Sequence, residues 1–222
     1  MKLQKLGGYA AIASQCFLAI FAIMEIPVAD LMDAEKAMAV SSATPAHSIV
    51  LFIIVGIIAV ICFFVMFLAL HERMQADAPY LTLIMLIAAS AVVIVGITML
   101  LFTLGGRNII VPAQDVSALR ALTAIGLSMA VMVHHTLGWA YLLLGCAILK
   151  TRAFSRILGG MFLFVGVVGI TTSIVPQLQL KVISMLHVIS TLLWVVATVW
   201  IGIALIRQKQ PEPTLREMAA SN

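Results

Sequence analysis

The side chains able to do chemistry in this chain are few and lie in a narrow band. Glu25, His47, His134, His135 and His187 are ionisable residues at or inside long apolar stretches, and His71 stands apart from them. Imidazole and carboxylate groups within apolar segments are costly to place and commonly mark sites. Read as helices, the stretches put all five in one leaflet. Glu25 lies about 25 Å along its helix from Gly8, and His135 about 22 Å from Lys150, at 1.5 Å per residue. His47 opens one stretch and His187 sits near the start of another. His71, at the opposite end of its stretch, falls outside the group.

Four chemistries compete for these residues. An outward-facing cavity lined by imidazoles could bind a lipophilic ligand or a partner subunit. A b-type haem would need two histidines at matching depth on facing helices. His135 and His187 are the candidate pair, and they differ by about 5 Å in depth, within reach of helix tilt. A zinc site would draw on His134 or His135 with His187, His47 and Glu25, but HExxH-type ligand spacing is absent. A transporter would use helices broken at midspan, for which Gly56, Gly96, Gly166, Gly169 and Gly202 are available. Against all four stands a plain reading, in which His134 or His135 bonds a neighbouring helix and Glu25 and His47 reach the headgroups. Adjacent in sequence, His134 and His135 point about 100° apart, so they cannot serve one point alike. Thr171, Thr172 and Ser173 add hydroxyls at similar depth, with Gln177 and Gln179 above them. Nothing in the pattern requires a cofactor.

The elements that must position these residues are unusually apolar. Hydrophobic residues make up 63% of the 222 and charged residues 10%, with a mean hydropathy of +1.17. Too little polar surface exists to cover such a chain in water. About 20 apolar residues cross a bilayer as a helix, and six stretches qualify: 8–28, 47–70, 79–104, 124–149, 155–175 and 180–206. The expected fold is all-α, one integral membrane bundle of six transmembrane helices over residues 1–206, with a short tail at 207–222. Backbone groups in lipid must pair within their own segment, which selects helices. Alternation of the membrane-barrel kind is absent. Residues 8–28 read as a retained span preceded by Lys2 and Lys5 rather than a cleaved leader.

Orientation follows from the cations. With both termini cytoplasmic, the inner segments hold nine: Lys2, Lys5, Arg73, Lys150, Arg152, Arg156, Arg207, Lys209 and Arg216. The outer segments hold four: Lys36, Arg107, Arg120 and Lys181. The net charge of +4 is 13 cations less 9 acids; with the cations gathered on one set of segments it reads as an orientation signal, and nucleic acid is not the expected partner. The bilayer is, with a membrane protein partner or a second copy as further possibilities. Residues 29–46 form the longest outer loop, with a short interfacial helix expected at 31–40. A continuous helix over 113–149 would be about 55 Å long and would outrun the bilayer. Cys16, Cys62 and Cys146 read as small buried apolar residues, and Trp139 and Trp200 as packing residues. P-loop, dinucleotide and nucleophile-elbow motifs are missing.

Small residues open two of the stretches alike, as Leu6-Gly7-Gly8 and Leu158-Gly159-Gly160. The run His135-Thr136-Leu137-Gly138-Trp139-Ala140-Tyr141 and Leu142-Leu143-Leu144-Gly145 is followed by Lys150-Thr151-Arg152 and Ile157-Leu158-Gly159-Gly160. Together with Leu6-Gly7-Gly8-Tyr9 it resembles the bacterial six-span membrane family known as domain of unknown function 4386. The resemblance implies a six-span architecture in a prokaryotic plasma (inner) membrane. It implies no activity, and it carries no catalytic residue over to this chain.

Overall fold

A computed structural model describes residues 3–24, 38–39, 42–174 and 181–207. The described residues are almost wholly α-helical, and no strand occurs among them. Six long helices follow in order: α1 (Leu3–Met24), α2 (Ala46–Met74), α3 (Pro79–Ala113), α4 (Val116–Thr151), α5 (Arg156–Ile174) and α6 (Lys181–Arg207). Over the described residues, α2 to α6 are each long and apolar enough to cross a membrane. Glu25, Gln177, Gln179, the tail beyond Arg207 and most of the 31–40 stretch lie outside the described residues.

Each boundary has a local cause. After Met74 the chain turns through Gln75–Ala78, and Pro79 opens α3 at its first position, where a missing N–H costs nothing. Two helices end on a residue in the left-handed region, Gln114 and Arg152, each with φ of 53°. Asp115 caps α4 by accepting from the Ala118 amide at 3.0 Å and the Ser117 hydroxyl at 2.8 Å. These bonds, the Ala118 amide first, hold the exposed Asp115 carboxyl below the usual carboxylate range. The Gly105-Gly106 pair does not stop α3, which runs on through Pro112 to Ala113. At 35 and 36 residues, α3 and α4 are each more than 50 Å long and exceed a hydrocarbon core of roughly 30 Å. Their shared tip carries a satellite cluster in which Met38 packs with Leu119.

The helices form a ring. Each packs on the next, and α6 closes on α1. Small residues set the close approaches. A Cβ added at Gly145 would lie 2.7 Å from the Leu163 nitrogen and 2.8 Å from the Gly159 oxygen. One at Gly138 would lie 2.8 Å from the Ile170 nitrogen. Thus α4 and α5 touch backbone to backbone, with Gly138 and Gly145 seven residues apart on one face. The two Leu-Gly-Gly openings act differently. Gly7 meets Ala69 of α2 and Gly8 meets Gly202 of α6, whereas Gly159 meets α4 and Gly160 meets nothing within 4 Å.

The main core fills one half of the ring. Phe63, Phe67, Leu70 and Met74 of α2, Met85 of α3, Tyr141, Leu144 and Ile148 of α4, Leu158 and Phe162 of α5, and Ile201 and Leu205 of α6 belong to it. This is the half bearing Arg73, Lys150, Arg152 and Arg156. Arg73 reaches from α2 to the α4–α5 loop, donating from Nη2 to the Ala153 oxygen at 3.3 Å and lying 5.0 Å from the Phe154 ring centre. Toward the other end the packing opens. Residues 185–189 of α6 are all exposed, and α4 buries only Leu119 before Gly138. Cys16 and Cys146 face outward from the bundle, not into the core.

The glycine contact carries a prediction. Gly145→Val, measured by thermal unfolding in detergent, should lose about 1–3 kcal/mol by forcing α4 from α5. Gly160→Val, facing open space, should leave the midpoint nearly unchanged.

Candidate functional site: a histidine pair above a buried tyrosine

The histidines separate into distinct roles. His47 stands exposed in the first turn of α2 and meets none of the other rings. His135 is engaged on both sides. Trp139 donates its indole N–H to His135 Nε2 at 3.1 Å, and His135 Nδ1 lies 2.8 Å from the Ser173 oxygen. Indole is a donor only, so Nε2 must be the accepting nitrogen and Nδ1 must carry the proton. Ser173 therefore accepts from Nδ1 and donates its own O–H to the Ile170 carbonyl at 2.7 Å. The chain of bonds ties α4 to the end of α5 and leaves no lone pair on the imidazole for a metal.

His134, one residue earlier, turns 100° away. Its Nδ1 lies 2.8 Å from the Ala130 oxygen of its own helix. A carbonyl only accepts, so Nδ1 holds the proton and Nε2 is left with a lone pair. The ring faces His187 of α6, with centroids 6.3 Å apart and planes at 49°. The His187 ring makes no hydrogen bond among the described residues. The partner of His187 across the bundle is thus His134, not its neighbour His135.

Seven residues on, the same two helices meet again. Trp194 Nε1 donates to the Tyr141 hydroxyl, and their rings are 6.1 Å apart. Tyr141 is fully buried, stacked on Phe162 at 5.5 Å and edge-on to Phe63 at 5.9 Å. The pairs 134–187 and 141–194 have one sequence offset, as parallel helices with faces in register require. Seven residues are two turns, so the levels stand about 10 Å apart. Between them lie Gly138 on α4 and Ser190 and Thr191 on α6, all small. α5 separates α4 and α6 in the ring, so long side chains span between them.

One face of α6 is polar in its N-terminal half and apolar in its C-terminal half. His187, Ser190, Thr191, Trp194 and Thr198 share that face, followed by Ile201 and Leu205. Sequence reading singled out Trp139 and Trp200 as packing residues, yet both are more than two-fifths exposed, and Trp194 is the one against the core. Tyr141 also escaped the sequence reading. The available signal was its heptad spacing from His134, matched by that of Trp194 from His187. Thr171 and Thr172 bond back to their own helix at 2.8 and 2.9 Å, leaving Ser173 as the hydroxyl of that trio that joins helices.

Among the described residues no three His, Cys, Asp or Glu side chains gather as a metal-ligand set. Comparison with protein-family models, curated proteins and solved structures finds no match to this chain.

The His135 assignment is testable by nitrogen-15 NMR of labelled histidine. The His135 spectrum should show a protonated Nδ1 and an accepting Nε2. Trp139→Phe should shift the Nε2 resonance while leaving that of His134 unmoved.

Proposed function

We propose that this chain is a six-span integral membrane protein, both termini cytoplasmic, that binds a lipophilic ligand from the outer side of a prokaryotic plasma membrane. Five apolar helices and a sixth closing their ring support the spanning architecture. The excess of Lys and Arg at the packed end supports its orientation. The Leu-Gly-Gly and His135–Gly145 runs support kinship with the domain of unknown function 4386 family.

One observation carries the binding reading. The packed half of the ring ends at Tyr141–Trp194, and His134 and His187 face each other about two turns farther out, where α4 and α6 are exposed. Imidazoles give such a site hydrogen-bonding capacity at a depth where apolar walls surround it, the usual make-up of a small-molecule site. A polar head at the histidines with an apolar body among the helices suits this lining. A partner subunit's apolar segment would meet the same surface.

A second reading takes the ring separation literally. Two imidazole nitrogens each about 2 Å from one metal put ring centres roughly 5–6.5 Å apart, and the observed pair falls in that range. His134 with His187 would then hold a b-type haem or a single metal ion, which would supply redox or Lewis-acid chemistry.

Protein purified in mild detergent should release a bound lipid or quinone on solvent extraction, identified by mass spectrometry. His134→Ala and His187→Ala should each lower its occupancy about tenfold, the loss of one good hydrogen bond to a ligand. A Soret band or stoichiometric metal lost in the same variants would replace that reading with the second. No ligand, colour or metal in the wild type would end both. Orientation is tested separately. A cysteine placed at Ser155 should resist an impermeant thiol reagent applied to intact cells, and one at Ser117 should react.

A further inference from the structure

At the bilayer midplane the bundle buries polar groups whose hydrogen-bonding capacity is not used. Tyr141 lies nine residues from Lys150, Thr198 nine from Arg207 and Gln15 ten from Lys5. Each is therefore about 14–15 Å above the cationic end, half of a hydrocarbon thickness near 30 Å. Thr198 is 0% exposed, Gln15 8% and Tyr141 1%. The Thr198 hydroxyl and the Gln15 amide nitrogen are both buried without a hydrogen-bond partner.

Three helices bring these residues to one level. Trp194 donates to the Tyr141 oxygen, and Thr198, one turn farther along α6, lies beside that same oxygen without completing a bond of good geometry. The α1 register follows from Gly202, where an added Cβ would meet Gly8, Ala11 and Ile12. Thr198 stands four residues outward from Gly202. On the antiparallel α1, the same rise from the Gly8–Ile12 level leads to about residue 14, and Gln15 shares the face of Gly8 and Ala11. Gln15 and Thr198 are thus level on facing sides of the α1–α6 contact.

Thr198 also departs from the habit of most helical hydroxyls among the described residues. Thr82, Ser90, Thr98, Thr172 and Thr191 each donate to the carbonyl four residues earlier, the usual refuge of a hydroxyl in an apolar helix. Thr198 forgoes that bond. An unpaired polar group in hydrocarbon is strongly disfavoured, so two at one level call for a shared partner. That partner must both accept and donate, since an amide N–H, a hydroxyl and the remaining capacity of the Tyr141 phenol are to be met at one depth. Water has this property, and buried water typically takes two to four polar partners.

We infer that Gln15, Tyr141 and Thr198 form an internal water-binding site at the membrane midplane. The polar outer half of the α6 face, Ser190 and Thr191 above Trp194, is its route of exchange from the outer side. The site is separate from the histidine pair and does not depend on a ligand there.

Radiolytic hydroxyl labelling of the full chain in lipid nanodiscs, read by mass spectrometry, tests this. Radicals form at bound water, so a buried aromatic beside one is modified while dry neighbours are spared. Tyr141 should be oxidised several-fold faster than Phe67 and Phe162, which are equally buried. Thr198→Val should reduce Tyr141 oxidation several-fold with the helical circular dichroism unchanged. Labelling of Tyr141 no faster than that of Phe67 and Phe162 in the wild type overturns the site, whatever the variant does.

Discussion

A polar side chain within a hydrocarbon slab has nowhere to turn but to the protein itself, and this constraint orders the molecule. Most hydroxyls meet it locally, by returning a bond to the preceding turn, and such residues need no neighbour. The few that look elsewhere are the informative ones. His135 closes its bonds through Trp139 and Ser173 and so becomes a strut between α4 and α5. Trp194 satisfies its N–H on the Tyr141 oxygen across the bundle. His134 bonds to its own helix with one nitrogen and keeps the other free.

The same constraint explains why glycine and long aromatic residues occur on the same helix. Through Gly138 and Gly145, α4 lets α5 approach to backbone contact, which holds the strut from His135 to Ser173 at bonding distance. On the face turned toward α6, α4 carries His134 and Tyr141, which must reach past α5. One helix thus has a close-packed side and a spanning side. The spanning side presents paired rings at two levels, and only the Tyr141–Trp194 level is sealed by the aromatic residues of α2 and α5.

How far the sequence could be read depended on the kind of signal. Helix existence rested on long apolar runs and was plain for α2 through α6. The stretch expected to close at residue 104 runs on through Gly105 and Gly106, because a glycine pair is tolerated in a helix packed on a neighbour, and the chain breaks only after Pro112, which falls in the last turn of α3. Cys16 and Cys146 were read as buried because buried cysteine is the rule in water. In a membrane bundle the outward faces are apolar too, so hydrophobicity no longer tells inside from outside. The same loss of contrast hid Tyr141 and Trp194 among other large residues.

Sequence alone determined that the chain is helical and suited to lipid, because apolar run length and the need to pair backbone groups within a segment are properties of single segments. It also determined that His134 and His135 could not act alike, since neighbours on a helix diverge by about 100°. Only the tertiary structure decided which histidine is tied up and which is free. That choice turns on how α5 and α6 rotate and slide against α4, and close packing of small residues sets those offsets. A shift of one residue on α4 would exchange the two imidazoles, and no pattern within α4 itself records which arrangement its neighbours impose.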